Sequence, residues 1–356
     1  MEGQYHQPLQ RTAGFELSAA LLSLTCLALS ACGGGGGGGD SGSPDDGSVP
    51  LSSEADVLRE VSLLSSAVGA LDTLSGAIDG SSAFAAASAS PRALATQAMS
   101  AAAATSDSPC TDGGTDTQSS GTKTRSFAYF GNLSGSVAYQ LHAFAACKRT
   151  RTDDSSGVSY QATLDGAAEV GSTLQAIEGA DYRYLIAGSG GTPLQATVTT
   201  GSAGAQVVLK ATGTEESQST DSLRTVGSII SLDYTVSALG LTSSGEVDLG
   251  SGSTPFYVAT SKTSSAYSLD GPYAYHTSKC DGGSATADTT ATLTTASDDA
   301  GSYINGGTLK LSTSSAAVTV VFNNDGSASY QFQGGSNGTL TRAELDQAKA
   351  DGGCGF

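Results

Sequence analysis

One short pattern in this sequence places a potential nucleophile where a hydrolase would need it. Gly334-Gly335-Ser336-Asn337-Gly338 matches Gly-x-Ser-x-Gly, in which the serine lies on a sharp turn between a strand and a helix. In hydrolases with this turn the catalytic histidine follows the serine along the chain, and no histidine follows Ser336. The pattern therefore favours a glycine-rich turn over an active site.

Other residue pairs with catalytic potential are equally incomplete. Ser120 and Lys123 have Ser-x-x-Lys spacing, but the motifs that accompany it in known enzymes are not recognisable. Asp153-Asp154 and Asp298-Asp299 could serve in acid–base chemistry or calcium binding, yet neither has the Asp-x-Asp-x-Asp-Gly spacing of a calcium loop. We expect both pairs in solvated turns. The sequence also has no phosphate loop or dinucleotide fingerprint, so it predicts no enzyme and no cofactor.

The N-terminus carries the most specific motif of the chain. An apolar run ends in Leu29-Ser30-Ala31-Cys32 and is followed by seven glycines. The tetrapeptide resembles the lipobox of bacterial lipoproteins, whose cysteine is lipidated and becomes the first mature residue. By that resemblance Cys32 carries a lipid and residues 1–31 are a signal peptide. The apolar run from Leu17 to Ala31 is shorter than the about 20 residues of a membrane-spanning helix, which agrees with cleavage.

The lipobox resemblance and the net charge together set expectations for location and partners. Gly33, in place of Asp, resembles the outer-membrane sorting pattern, so we expect an outer-membrane lipoprotein that faces the periplasm or the cell surface. The formal charge is −18, and loss of Arg11, Glu2 and Glu16 with the signal peptide leaves −17. Such an acidic chain repels nucleic acid, so the expected partners are the membrane, an envelope protein or an apolar ligand.

Four cysteines remain after export and lipidation: Cys110, Cys147, Cys280 and Cys354. They allow three disulfide connectivities, and an oxidising compartment makes bridges the expected state. We favour Cys110 with Cys147 and Cys280 with Cys354. A metal site is disfavoured because the chain has no Cys-x-x-Cys pair and because His142 and His276 are isolated in the sequence.

Composition shifts along the chain predict a single β domain preceded by helices. The predicted segments are a signal peptide (1–31), a Gly/Ser-rich tether (32–50), a helical segment (51–104), a polar loop (105–123), an antiparallel β domain (124–340) and a C-terminal helix and tail (341–356).

The clearest predicted helix covers residues 53–79. Ser53 and Asp56 form a capping box at its start. Apolar residues then recur every three or four positions, at Val57, Val61, Leu64, Val68, Leu71, Leu74 and Ile78. A second, Ala-rich helix is predicted for 91–104, and Thr341 with Glu344 predicts a capped helix near the C-terminus.

From Arg125 onward the apolar period changes to two, which is typical of strands. Val137, Tyr139 and Leu141 alternate with polar or small residues, and similar runs recur with turns about every ten residues. Asn323-Asn324-Asp325-Gly326 is a hairpin turn signal. The sequence therefore predicts a mainly β fold: a curved or barrel-like antiparallel meander sheet with an N-terminal helical segment and a short C-terminal helix.

Three functions stay open at the level of sequence. A structural or interaction module ranks first, a carrier of an apolar ligand in a curved-sheet cavity second, and a hydrolase third. The helix that begins at Ser53 decides between the first two. If its apolar stripe packs on the sheet, it fills the space that a ligand would need. We expect the filled arrangement.

Overall fold

The computed structural model describes residues 47–49, 51–64, 110, 112–152, 159–200, 206–238, 241–278, 282–298 and 301–350. These residues contain the helices α1 (54–64) and α2 (Arg342–Ala350) and the strands β1 (Thr115–Phe127), β2 (Leu133–Thr152), β3 (Ser159–Thr173), β4 (Asp181–Ala187), β5 (Leu194–Thr200), β6 (Gln206–Ser219), β7 (Leu223–Ala238), β8 (Leu241–Leu249), β9 (Phe256–Ser261), β10 (Ala266–Thr277), β11 (Gly283–Asp298), β12 (Gly301–Ser312), β13 (Ala317–Phe322), β14 (Ala328–Phe332) and β15 (Asn337–Leu340).

All fifteen strands belong to one antiparallel sheet. Its order is β1-β2-β3-β4-β6-β7-β8-β10-β11-β12-β13-β14-β15, so nearly every strand pairs with its neighbours in sequence. Short turns join such strands, because antiparallel neighbours need no crossover helix. The predicted mainly β fold, built as an antiparallel meander, is confirmed.

Two strand positions of the sheet are filled by two short strands each. β4 and β5 both lie between β3 and β6, and β8 and β9 both lie between β7 and β10. Each pair is one interrupted strand, because its two parts pair with successive halves of the same neighbours. The interruptions coincide with glycines in the adjacent strands, among them Gly166 (φ 89°) and Gly213 (φ 129°).

These two glycines sit where the backbones come too close for any side chain. A Cβ at Gly166 would overlap the carbonyl oxygen of Pro193, and a Cβ at Gly213 would overlap that of Ile229. Positive φ and close backbone approach are both tolerated by glycine alone. The row of interruptions therefore bends the sheet at a fixed level, as glycine kinks do in curved sheets.

The sheet packs on both faces. We call the face that carries the larger buried cluster, from Phe144 in β2 to Leu340 in β15, the inner face. A smaller cluster of Phe127, Val137, Ala180, Tyr182 and Tyr184 lies on the opposite, outer face. Successive residues of a strand point to opposite faces, so Tyr184 joins the outer cluster and Leu185 the inner one.

The predicted polar loop 105–123 is corrected at its C-terminal end, where β1 begins at Thr115. β1 pairs with β2 in unbroken register, from Thr115 opposite Ala145 to Phe127 opposite Leu133. It lies at the edge of the strand order, and residues 117–122 are exposed on both faces. Both faces of this part of the edge strand are exposed to solvent, so its sequence shows no apolar alternation. The alternation pattern therefore did not predict the first half of β1.

The predicted helix caps and the predicted hairpin turn are confirmed. Asp56 Oδ2 accepts from the Ser53 amide at 2.9 Å, and Glu344 Oε2 accepts from the Thr341 amide at 2.7 Å. Residues 323–326 turn the chain from β13 into β14. The predicted continuation of the first helix (65–79) and the predicted helix 91–104 lie outside the described residues. No helix among the described residues is long and apolar enough to cross a membrane.

Candidate functional site

α1 lies against the inner face of the sheet through its apolar stripe. Val57, Val61 and Leu64 are all buried and belong to the main core together with residues of β10 and β14. They are spaced by four and three residues, which places them on one side of the helix. At this part of the sheet, the space beside the inner face is therefore occupied by the protein's own side chains.

A buried carboxylate holds α1 on β10. Glu60 has no exposed surface, and its two carboxylate oxygens accept hydrogen bonds from the Tyr273 and Tyr275 hydroxyls at 2.7 and 2.6 Å. Arg59 Nε donates to the same carboxylate at 3.2 Å. Burial raises the pKa of Glu60, and the two tyrosine hydroxyls and Arg59 only partly offset this. The three donors account for both oxygens of a group that would otherwise be costly to bury.

Glu60 should make the stability of the fold depend on pH. A carboxyl group whose pKa is higher in the folded state stabilises that state most at pH below about 4.5, and this contribution is lost as the pH rises through the folded pKa. Glu60→Gln cannot ionise. We therefore expect its urea-unfolding free energy to fall less than that of the wild type between pH 5 and pH 8. Parallel profiles for the two proteins would contradict the buried, titrating carboxylate.

Further contacts fix both ends of α1. At its start, burial raises the pKa of Asp56, but hydrogen bonds from Ser52 and Ser53 and the charge of Arg59 outweigh this, so the pKa lies below its ordinary value. The Tyr330 hydroxyl of β14 donates to Glu54 Oε2 at 3.0 Å. Near its end, Ser62 Oγ donates to the carbonyl of Ala348 in α2 at 2.7 Å. α1 thus contacts β10, β14 and α2 at once.

The Cys110–Cys147 disulfide predicted from the sequence is present. It joins Cys110, five residues ahead of the start of β1, to a fully buried position in β2, and it closes the chain over a separation of 37 residues. The bridge ties the chain just ahead of β1 to the main core, since Cys147 packs there and Cys110 packs against it. Cys280, Cys354 and the lipidation candidate Cys32 lie outside the described residues, so the second disulfide and the lipid stay predictions.

The described residues place Ser336 in a hairpin turn. Gly334 to Ser336 form the turn between β14 and β15, and the Phe332 amide donates to the Ser336 carbonyl at 3.1 Å. A hairpin strand follows Ser336 directly, where a nucleophile turn would need a helix. The prediction that Ser336 lies between a strand and a helix is therefore wrong. The chain forms the predicted glycine-rich turn instead.

The other candidate pairs have structural partners or lie outside the described residues. Ser120 and Lys123 are three apart in β1 and so point to opposite faces, and Lys123 pairs with Glu169. Asp298, at the end of β11, accepts hydrogen bonds from the Arg342 guanidinium. Asp153, Asp154 and Asp299 are not among the described residues.

One pair that the sequence did not predict is a buried histidine–aspartate contact. His142 Nδ1 lies 3.1 Å from Asp116 Oδ2, and both side chains are almost fully buried. The His142 ring stacks on Phe144 at 5.6 Å between centroids. His142 is isolated in the sequence but not in the fold, because the β1–β2 register brings Asp116 beside it. No local pattern signals this contact between residues 26 positions apart.

A groove crosses the outer face on the opposite side of the strands that bind α1. We call it the polar groove; its volume is about 840 Å³. About half of its lining is polar, and this part includes hydroxyl groups and one carboxylate, with Thr212, Ser231, Asp248, Ser284, Thr286 and Ser312 among the contributing residues. β10 separates the two sites: Tyr273 and Tyr275 point to the inner face and Ala274 points to the groove.

Two carboxyl groups in or beside the polar groove, Asp248 and Glu246, have pKa values above their ordinary values, chiefly because they are partly buried. Burial raises the pKa of Asp248. A hydrogen bond from Ser231 lowers this pKa, whereas the negative charge of Asp233 raises it further. Burial also raises the pKa of Glu246, with further repulsion from Asp248 and Asp233. Among the described residues, no group of three or more His, Cys, Asp or Glu side chains is arranged to hold a metal ion.

Comparison with known proteins places this chain beside none of them. It matches no protein-family model, no curated protein and no solved structure. The motif at Cys32 and the two faces of the sheet are the features that bear on function.

Proposed function

We propose that the protein is an exported lipoprotein, held at the outer membrane by a lipid on Cys32, that acts as a non-catalytic interaction module of the cell envelope. The anchor is supported by the lipobox resemblance of Leu29-Ser30-Ala31-Cys32. Export is supported by the Cys110–Cys147 bridge, because disulfides persist mainly in oxidising compartments.

The observation that carries the choice of an interaction module is the position of α1. A carrier of apolar ligands needs an open apolar cavity. Here Val57, Val61 and Leu64 pack against the inner face, and Glu60 is held by two tyrosine hydroxyls of β10. The space beside these strands is thus taken by the chain itself, which favours a solid module over a carrier.

A hydrolase has less support than either alternative. The Asp116–His142 pair has the geometry of a base and its orienting carboxylate, but it lies on β1 and β2. Ser336 lies between β14 and β15, at the other end of the strand order. The two halves of a hydrolytic site are not adjacent in the sheet.

Cys32→Ser is expected to release the protein from the membrane fraction, because acylation requires the cysteine thiol. The measurement is fractionation of cells followed by a salt wash, with Cys26→Ser as the matched control, since that cysteine lies inside the predicted signal peptide. The control should fractionate with membranes as the wild type does. Retention of Cys32→Ser in the washed outer membrane would contradict the lipid anchor.

The carrier alternative has a separate test. Organic extraction of the purified protein should yield no stoichiometric, non-covalently bound lipid if α1 occupies the ligand space. Recovery of about one lipid per protein would favour the carrier and would leave the anchor at Cys32 unaffected.

A further inference from the structure

The floor of the polar groove is a single row of residues that runs across five strands. Thr212 of β6 lies opposite Ser231 of β7, which lies opposite Asp248 of β8. Asp248 in turn lies opposite Ala274 of β10, and Ala274 opposite Ser284 of β11. Neighbouring strands are about 4.8 Å apart, so the row offers one side chain per strand at a regular repeat.

Several small residues line the groove along this row. Gly213 and Gly250 line it at the level where the sheet bends, and each has positive φ. A Cβ at Gly250 would overlap the carbonyl oxygen of Ser228. At the floor, Ala274 fills little space between Asp248 and Ser284. The backbone therefore makes the depression, and hydroxyl groups with one carboxylate line it.

The charge of the lining limits the ligand. Among the described residues that line the groove, Asp248 is the one charged side chain, and none of them offers a cation to an anionic ligand. Hydroxyl groups both donate and accept hydrogen bonds, and a carboxylate accepts two. A neutral polymer whose hydroxyl groups recur at a regular spacing can form hydrogen bonds with these hydroxyl groups and with the carboxylate.

A cationic peptide fits this site less well. The neighbouring acidic row, Asp233 and Glu246, lies outside the groove lining. It is flanked in register by Lys210 on one side and by His276 on the other. Lys210 offsets part of the acidic charge of that row, and Asp248 is the one charged side chain among the described residues of the groove lining.

The point where the chain enters the body lies at the rim of this groove. The Val49 amide donates to the Ser284 carbonyl at 3.2 Å, and the Ser284 amide donates to the Gly47 carbonyl at 3.0 Å. Ser48 Oγ lies 2.9 Å from Ser314 Oγ, and both residues line the groove.

We propose that the polar groove binds a neutral glycan chain of the cell envelope, laid across the strands with Asp248 accepting hydrogen bonds from sugar hydroxyls. This names the partner class of the proposed interaction module and rests on that function for its place in the envelope. The binding itself depends only on the folded body.

The test is titration of the full-length protein, in a detergent that contains no sugar, with the linear hexasaccharides chitohexaose and maltohexaose. Isothermal calorimetry should show saturable binding of at least one of them. Asp248→Asn keeps the size of the side chain but weakens the acceptor, so we expect its Kd to rise about tenfold. Ala274→Phe fills the floor on the outer face and should abolish binding.

Asp233→Asn is the matched control, because it removes the same charge one row outside the groove. Its Kd should stay within about twofold of the wild-type value. No binding of either hexasaccharide at millimolar concentration, or equal Kd values for wild type and Asp248→Asn, would overturn the proposal. Binding of hexalysine in place of the glycans would also overturn it, in favour of a cationic peptide.

The experiments distinguish a failure of the proposed lipid anchor from a failure of the proposed glycan site. Cys32→Ser should bind the hexasaccharide as the wild type does, because the groove lies in the body. Loss of glycan binding with normal membrane fractionation would reject the groove alone, whereas soluble wild-type protein that still binds glycan would reject the anchor alone.

Discussion

Leu64→Asp should lower the free energy of unfolding by about 3–5 kcal/mol, because it replaces a buried leucine by an unpaired carboxylate. Leu64 is 1% exposed and belongs to the main core where α1 meets the sheet. Urea unfolding, followed by a spectroscopic signal of the β-sheet, measures the change. Leu64→Ala removes side-chain volume alone and should cost less, about 2–4 kcal/mol.

The matched control is Ala55→Asp, which introduces the same side chain on the exposed side of the same helix. An aspartate in the first turn of a helix is tolerated or slightly favourable, so its unfolding free energy should stay within about 0.5 kcal/mol of the wild-type value. Unchanged stability of Leu64→Asp would mean that α1 is not part of the core of the β domain.

Loss of the Cys110–Cys147 bridge should be the next largest effect. In the chain-entropy model, a closed segment of this length contributes up to about 4 kcal/mol, and strain in the folded state reduces that figure. The double variant Cys110→Ala/Cys147→Ala should therefore lose about 2–4 kcal/mol in urea unfolding. Alanine is the suitable replacement because Cys147 is fully buried and a serine hydroxyl there would need a partner.

Reduced wild-type protein is the control for this variant, since it lacks the bridge but keeps both cysteines. Its stability should match that of the double variant. Non-reducing digestion and mass spectrometry of the exported protein should also recover Cys280 linked to Cys354, as the sequence predicts. Four free thiols in the exported protein would contradict both bridges.

The features that the sequence predicted correctly are local ones. The capping boxes at Ser53 and Thr341 depend on residues three positions apart, and the turn at 323–326 depends on four consecutive residues. The first helix was recognisable because its stripe repeats every three or four residues over several turns. Such features can be predicted without knowledge of the fold, because the interacting groups are close along the chain.

Features that join distant strands were not predictable in the same way. Asp116 meets His142 only because of the register between β1 and β2, and the polar groove collects residues from six strands. The position of Glu60 did carry a signal. It lies between Val57 and Leu64 on the apolar side of α1, where a charged residue is out of place unless something binds it. Its partners, Tyr273 and Tyr275, are more than 200 residues away.

We infer that α1 is a permanent part of the core and occupies the inner face of the sheet. Hydrogen exchange of the full-length protein, read by mass spectrometry on peptides that cover 54–64, tests it most directly. If α1 is integral to the core, its amides should exchange only through global unfolding and be protected as strongly as those of β10. Exchange of 54–64 within seconds, while β10 stays protected, would contradict the claim and would reopen the inner face to a ligand.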